Sequence, residues 1–200
     1  MLERFSEWLS NPVNWTRLLV ICTGILIVSF AYDEVMVRLT GVVYKILPDI
    51  NEFVDICDTT DKECREFFEQ FVRDMTWFIK ESPFYMYVPV LVLLAFGEEL
   101  FFRWLPLIIS VRWIGVRDSL IFIVVPFSLI FGWMHYMTWD MNALLGSTLI
   151  HGVAGIVLSI IYLKAGGSHK RHSRALLFST SFHTVYNIIV LTTARYFDTW

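Results

Sequence analysis

Charged residues divide this chain into long apolar runs and short polar ones. Three runs hold no Asp, Glu, Lys or Arg: Ser119–Trp139, Met141–Leu163 and Ala175–Ala194, of 21, 23 and 20 residues. A fourth, Leu18–Tyr32, has 15 residues and reaches a useful length through Trp15 and Thr16. A fifth, Ser82–Val111, has 30 residues and three charges, Glu98, Glu99 and Arg103. A helix needs about 20 mainly apolar residues to cross hydrocarbon about 30 Å thick. Backbone groups in lipid must satisfy one another, which leaves helices or closed barrels. The runs lack the strict alternation of barrel strands. The pattern therefore predicts an all-α polytopic transmembrane helix bundle of about five spans. Val35–Leu47 reads as a further partial or interfacial helix, because Arg38 and Lys45 oppose a full span.

Composition agrees with this pattern. The chain is 56% hydrophobic and 18% charged, against about 45–50% and 25% for soluble domains. The same figures exclude a disordered chain. A net charge of −3 offers no general attraction to a phosphate backbone, so nucleic acid is not an expected partner. Three cysteines do not make a disulfide scaffold. Glu3 and Glu7 precede the first apolar run and no small-residue cleavage site follows it before Asp33. That run reads as an uncleaved span rather than a signal peptide.

Three regions follow: an N-terminal span and extension (1–47), an acidic segment (48–83) and a helical core (84–195). Pro48–Pro83 carries ten acidic residues against four basic ones. Within it Phe67, Phe68, Phe71, Met75 and Phe78 recur at roughly helical spacing, which predicts an amphipathic interfacial helix. The loop Lys164–Arg174 is basic throughout, and Arg112 and Arg117 flank a turn near Gly115. Basic loops face the cytoplasm. Five spans then put the N-terminus and both basic loops inside and the acidic segment outside, where Cys57 and Cys64 either pair or stay free. Cys22, in the first span, acts as a small apolar residue. His169 and His172, in the basic loop, are expected to be solvated.

Ionisable groups at membrane depth are costly and mark function by default. They form three groups here. Glu99 and Arg103 are four apart and can neutralise each other on one helix face. Glu98 is turned about 100° from Glu99 on a 3.6-residue helix and has no partner on its own helix. Such an acid serves either as a general base or acid or as part of a structural charge cluster. The second group ends in His135, four residues after Phe131. The third holds His183 and Asn187, also four apart and on one face. Singly, each histidine reads as a packing residue. A carboxylate, two imidazoles and an amide together make a workable set for activating water. His151, beside Gly152 and Gly155, reads as a residue that packs where small side chains let helices approach or that supports the site from behind.

Glu98-Glu99-x-x-x-Arg103, Phe131-x-x-x-His135 and His183-x-x-x-Asn187, in this order, resemble the CPBP family of CAAX proteases and bacteriocin-processing enzymes, also called Abi. The resemblance covers about residues 84–195. It implies a multi-helix intramembrane endopeptidase related to the Ras-converting enzyme that trims prenylated CAAX proteins. It implies Glu98 as the base, His135 orienting the same water, and His183 and Asn187 holding the oxyanion. Glu99 and Arg103 would support the site. The expected partners are a membrane-associated protein or peptide substrate and the bilayer, and the expected location is a prokaryotic cell membrane.

This reading needs no cofactor. A zinc version would use Glu98, His135 and His183 as ligands with an open fourth position, although no His-Glu-x-x-His segment is present. A protein of another class, a bacteriocin-immunity or partner-binding factor, would use the same polar groups only to hold the bundle or a peptide. The catalytic reading requires Glu98 to meet rings from two other spans rather than lipid.

Overall fold

The computed structural model describes residues 2–40, 62–135 and 141–197. Helices α1 (Leu2–Ser10), α2 (Trp15–Thr40), α3 (Lys62–Lys80) and α4 (Phe84–Glu99) come first. A π turn, Leu100–Trp104, joins α4 to α5 (Leu105–Ser119). A second, Leu120–Val124, joins α5 to α6 (Val125–Met134). Then follow α7 (Met141–Lys164), a 3₁₀ turn (Gly167–His169) and α8 (His172–Phe197). No strand occurs among the described residues. Met1–Val42 and Val92–Tyr186 form one compact unit, and Val43–Leu91 and Asn187–Trp200 a second.

Trp15–Tyr32, Phe84–Met134 and His172–Thr193 are long and apolar enough to cross a membrane, and Thr148–Lys164 is a shorter apolar helix. The 51 residues from Phe84 to Met134 would reach about 75 Å as one straight helix. They do not, because Gly115 breaks the run with φ 79° and ψ 172°. A residue without Cβ adopts that conformation freely. The chain reverses there, and α6 returns against the first π turn, so the run makes two passes. Large apolar side chains such as Leu93, Phe122 and Leu177 remain exposed, as faces solvated by lipid should.

Each π turn starts six residues before a proline, Pro106 and Pro126. Proline has no N–H, and its ring crowds the carbonyl four residues back. The residue before each proline instead bonds five back, Leu105 N–H to Leu100 O and Val125 N–H to Leu120 O. The widened turn carries Arg103, in keeping with the frequent placement of π-bulges at functional sites.

The tightest packing is α6 on α7. A Cβ on Gly132 would lie 2.7 Å from Gly152 N and 2.9 Å from Thr148 Cα. A Cβ on Gly155 would lie 3.0 Å from the Ser128 side chain and 3.2 Å from Arg103 Nη2. The close approach expected beside His151 is therefore present, and Gly132 is its counterpart on the facing helix.

The N-terminal region differs from expectation in three ways. Residues 35–40 continue α2 rather than begin another helix, while 41–47 lie outside the described residues. Helix α1, too short and too polar to register as a span, sits against α5 and α7. Lys164 is buried and not a solvated loop cation. Its ammonium donates to the Trp8 and Asn11 carbonyls and lies 4.2 Å over the Trp8 ring. Arg174 donates to Val13 O and stacks on Trp15, and Arg117 pairs with Glu3 at 3.5 Å. These bonds hold the N-terminus, the Gly115 turn and the 164–174 loop at one end of the unit, the grouping that the charge pattern required.

In the second unit the amphipathic helix forms as α3, with Phe67 and Trp77 exposed. Cys64 is disulfide-bonded, whereas Cys57 and the acidic stretch 48–61 lie outside the described residues. Cys22 is free and buried.

Gly132→Ala should lower the melting temperature in detergent, because its methyl meets backbone that cannot swing aside; overpacking of this kind costs about 1–3 kcal/mol. Gly24→Ala, whose Cβ meets nothing within 4 Å, should leave the melt unchanged.

Candidate active site

Four helical segments of the first unit meet around Phe131 and His183. The end of α4 brings Glu98 and Glu99, and the π turn brings Arg103. The last turn of α6 brings Phe131 and His135, α7 brings His151 and α8 brings His183. Apart from Phe131, these are the polar residues that the sequence sets at membrane depth.

Glu99 is completely buried. Its Oε1 lies 3.1 Å from Arg103 Nη1 and accepts a hydrogen bond from His183 Nδ1 at 3.0 Å. The Ser179 hydroxyl faces the same carboxylate. Arg103, also buried, lays its guanidinium 4.1 Å from the centre of the Phe131 ring, a favourable cation–π placement. A buried charge is tolerated only when paired and hydrogen-bonded. Glu99 and Arg103 are paired, as four-residue spacing suggested, although Glu99 Oε2 and both Arg103 Nη atoms have no hydrogen-bond partner among the described residues. The sequence reading missed that Glu99 also grips His183, since contacts between distant segments leave no spacing signal.

Glu98 has a different environment. Its side chain is 32% exposed, and its Oε2 stands 3.4 Å from His183 Nε2. The two acids diverge on the helix, yet they reach opposite nitrogens of one imidazole. Divergence by about 100° therefore did not send Glu98 to another partner; the flat ring of His183 fits between the two carboxylates. Oε2 of Glu98 has no hydrogen-bond partner among the described residues.

His135 is exposed at the end of α6. Its Nδ1 lies 2.7 Å from Phe131 O. A carbonyl can only accept, so Nδ1 carries the proton and Nε2 presents a lone pair. The ring packs on Phe131 at 4.3 Å, and Phe131 meets His183 edge-on at 6.1 Å. His135 stands within electrostatic reach of both Glu98 and His183. Phe131 is thus a shared wall for Arg103, His135 and His183. That role was legible in part, since Phe131 and His135 are four apart on one face.

His151 is drawn into the cluster. Its ring stacks on His135 at 4.5 Å with 23° between planes. The sequence left open whether it packs or supports the site, because a lone histidine in an apolar run carries no directional signal. His172, by contrast, belongs to the basic end and is half-exposed; its Nδ1 meets the Tyr162 hydroxyl at 3.0 Å. Asn187 follows His183 by four residues in α8, is half-buried and opens the second unit's share of that helix.

Among the described residues no group of three His, Cys, Asp or Glu could hold a metal ion. Glu98 and His183 face each other at 3.4 Å, with His135 within electrostatic reach of both. An acid, a free imidazole lone pair and a fixed imidazole can together bind and polarise a water molecule.

Arg103→Gln should destabilise the protein by about 3–5 kcal/mol, because it strands a buried carboxylate. Adding Glu99→Gln should recover part of that loss. Thermal melts of both singles and the double in one detergent measure the coupling, and additive losses would show that the pair does not interact.

Comparison with curated proteins and with solved structures gives no match. The family model for Rce1-like proteins, type II CAAX prenyl endopeptidases, matches residues 80–189. The match spans more than half the chain and includes every residue from Glu98 to Asn187. An intramembrane peptidase is what these helices carry, and the chain belongs to the Rce1-like family of type II CAAX prenyl endopeptidases.

Proposed function

We propose that this multi-pass membrane enzyme hydrolyses a peptide bond in a membrane-associated protein or peptide with Glu98 as general base. The observation that carries the proposal is the partly exposed Glu98 carboxylate facing His183 Nε2 at 3.4 Å beside the free edge of His135. Glu98 takes a proton from water as that water attacks the scissile carbonyl. His135 accepts a hydrogen bond from the same water through Nε2, its proton being tied at Nδ1 by Phe131 O. The tetrahedral oxyanion is met by His183 Nε2–H and Asn187. Glu98 then passes its proton to the leaving amine, which departs as the carbon–nitrogen bond breaks.

Glu99 supports this chemistry without touching substrate. Its bond to His183 Nδ1 fixes the ring so that Nε2 points toward Glu98 and the reacting carbonyl. Arg103 keeps that carboxylate compensated and away from the reacting water. Every step uses protein groups, and no metal enters.

Glu98→Gln should lower the cleavage rate of a membrane-anchored peptide by about 10²–10⁴, the usual contribution of a general base, with an unchanged melt. His183→Ala or Asn187→Ala should each cost about 10²–10³ in kcat with little change in KM, as expected for oxyanion donors. Full activity in the Glu98→Gln protein would overturn the proposal. Activity should also survive 1,10-phenanthroline; its loss, with one bound zinc by elemental analysis, would replace the water-activation step. Proteomics of membrane peptides from cells carrying wild-type or Glu98→Gln protein would identify the substrate.

A further inference from the structure

A second concave site lies at the basic end of the first unit. A cleft of about 600 Å³ opens between α5 and the loop leading into α8. One wall is apolar, made of Leu107, Ile108 and Val111. The other edge carries Arg112, Lys170 and His172, and no acidic residue lines the cleft. It is remote from the chemistry, since fourteen residues separate Glu98 from Arg112, about 20 Å along a helix.

The cations of this end fall into two classes. Lys164 and Arg174 are consumed by backbone carbonyls of the N-terminal region, and Arg117 by Glu3. Arg112 and Lys170 face no acid among the described residues and flank the cleft. The loop is built around them. Gly167 lies flat on the Tyr162 ring, where a Cβ would come within 2.2 Å. The Tyr162 hydroxyl holds His172 Nδ1 at 3.0 Å, which leaves Nε2 for another partner. Lys170 adopts a left-handed conformation in this loop, with φ 60°. Trp113, next to Arg112, is 82% exposed, as aromatic residues at the headgroup level are.

We propose that this cleft binds one anionic phospholipid. The phosphate sits among Arg112, Lys170 and His172, and the first part of an acyl chain runs along Leu107, Ile108 and Val111 toward the lipid-facing side of α5. Charge complementarity and the apolar wall select the ligand together. A soluble phosphate leaves the wall uncovered, and a zwitterionic lipid brings its own cation against two unpaired ones. Basic pockets between transmembrane helices commonly take such headgroups.

The test uses the full chain in nanodiscs of phosphatidylcholine with a minor fraction of phosphatidylglycerol, followed by native mass spectrometry of retained lipid. Wild type should retain phosphatidylglycerol in clear preference to phosphatidylcholine. The double variant Arg112→Gln/Lys170→Gln should lose roughly fivefold in retention for each charge removed. The charge-keeping pair Arg112→Lys/Lys170→Arg should hold it, which separates charge from damage to the fold. Equal retention of both lipids, or undiminished retention in the Gln double variant, would overturn the proposal. So would displacement of the lipid by glycerol 3-phosphate at equal concentration, which would make the cleft a site for soluble phosphates.

Discussion

A buried carboxylate shared between a guanidinium and an imidazole organises this bundle. Glu99 has no access to solvent, so its charge must be answered within the protein. Arg103 answers it along the helix, and His183 answers it from α8. The first contact makes the charge tolerable in lipid. The second turns a tolerated charge into a positioning device, because the ring of His183 cannot rotate without leaving Glu99. The geometry available to Glu98 on the other ring nitrogen is therefore set by Glu99 through the shared imidazole.

That arrangement depends on helices coming closer than ordinary side chains permit. The guanidinium of Arg103 lies where α7 passes without a side chain at Gly155, and a Cβ there would stand 3.2 Å from Nη2. Gly132 and Gly152 let α6 and α7 touch backbone to backbone. Lipid gives no hydrophobic reason for helices to associate, so close packing and internal polar bonds must do so. The π turn adds a further adjustment. A proline two residues beyond Trp104 opens the backbone where Arg103 leaves it, and the same construction recurs at Pro126. A widened turn and a buried ion pair thus share the same stretch of helix.

The sequence carried the helices well and the site unevenly, for one physical reason. Lipid forbids charge over a span's length, so the uncharged runs mark Met141–Lys164 and most of His172–Phe197 almost residue by residue. It says nothing about short polar helices, and α1 escaped notice although Lys164 and Arg174 are bonded to the chain beside it. Within the site, pairs on one helix were visible as four-residue spacings: Glu99 with Arg103, Phe131 with His135, His183 with Asn187. Contacts between helices were not. The bond from His183 to Glu99, the stacking of His151 on His135 and the convergence of two acids on one imidazole depend on which faces meet. Periodicity fixes which residues share a face, whereas packing fixes what each face sees.

Hydrolysis inside a membrane sets two demands that conflict. The fixed charges need a dry surrounding to hold their geometry, and the reaction needs water. The site separates these demands in space. Glu99 and Arg103 are sealed, His183 is nearly so, Glu98 is about one-third exposed, and His135 stands open at a helix end. Exposure rises from the Glu99–Arg103 pair toward Glu98 and His135, the groups proposed to meet water. Phe131 divides the two zones, with a guanidinium near its ring and the two imidazoles packed against it. The apolar wall stands between the ion pair and the exposed side of the cluster, so the residue proposed to exchange protons lies at the boundary between the zones.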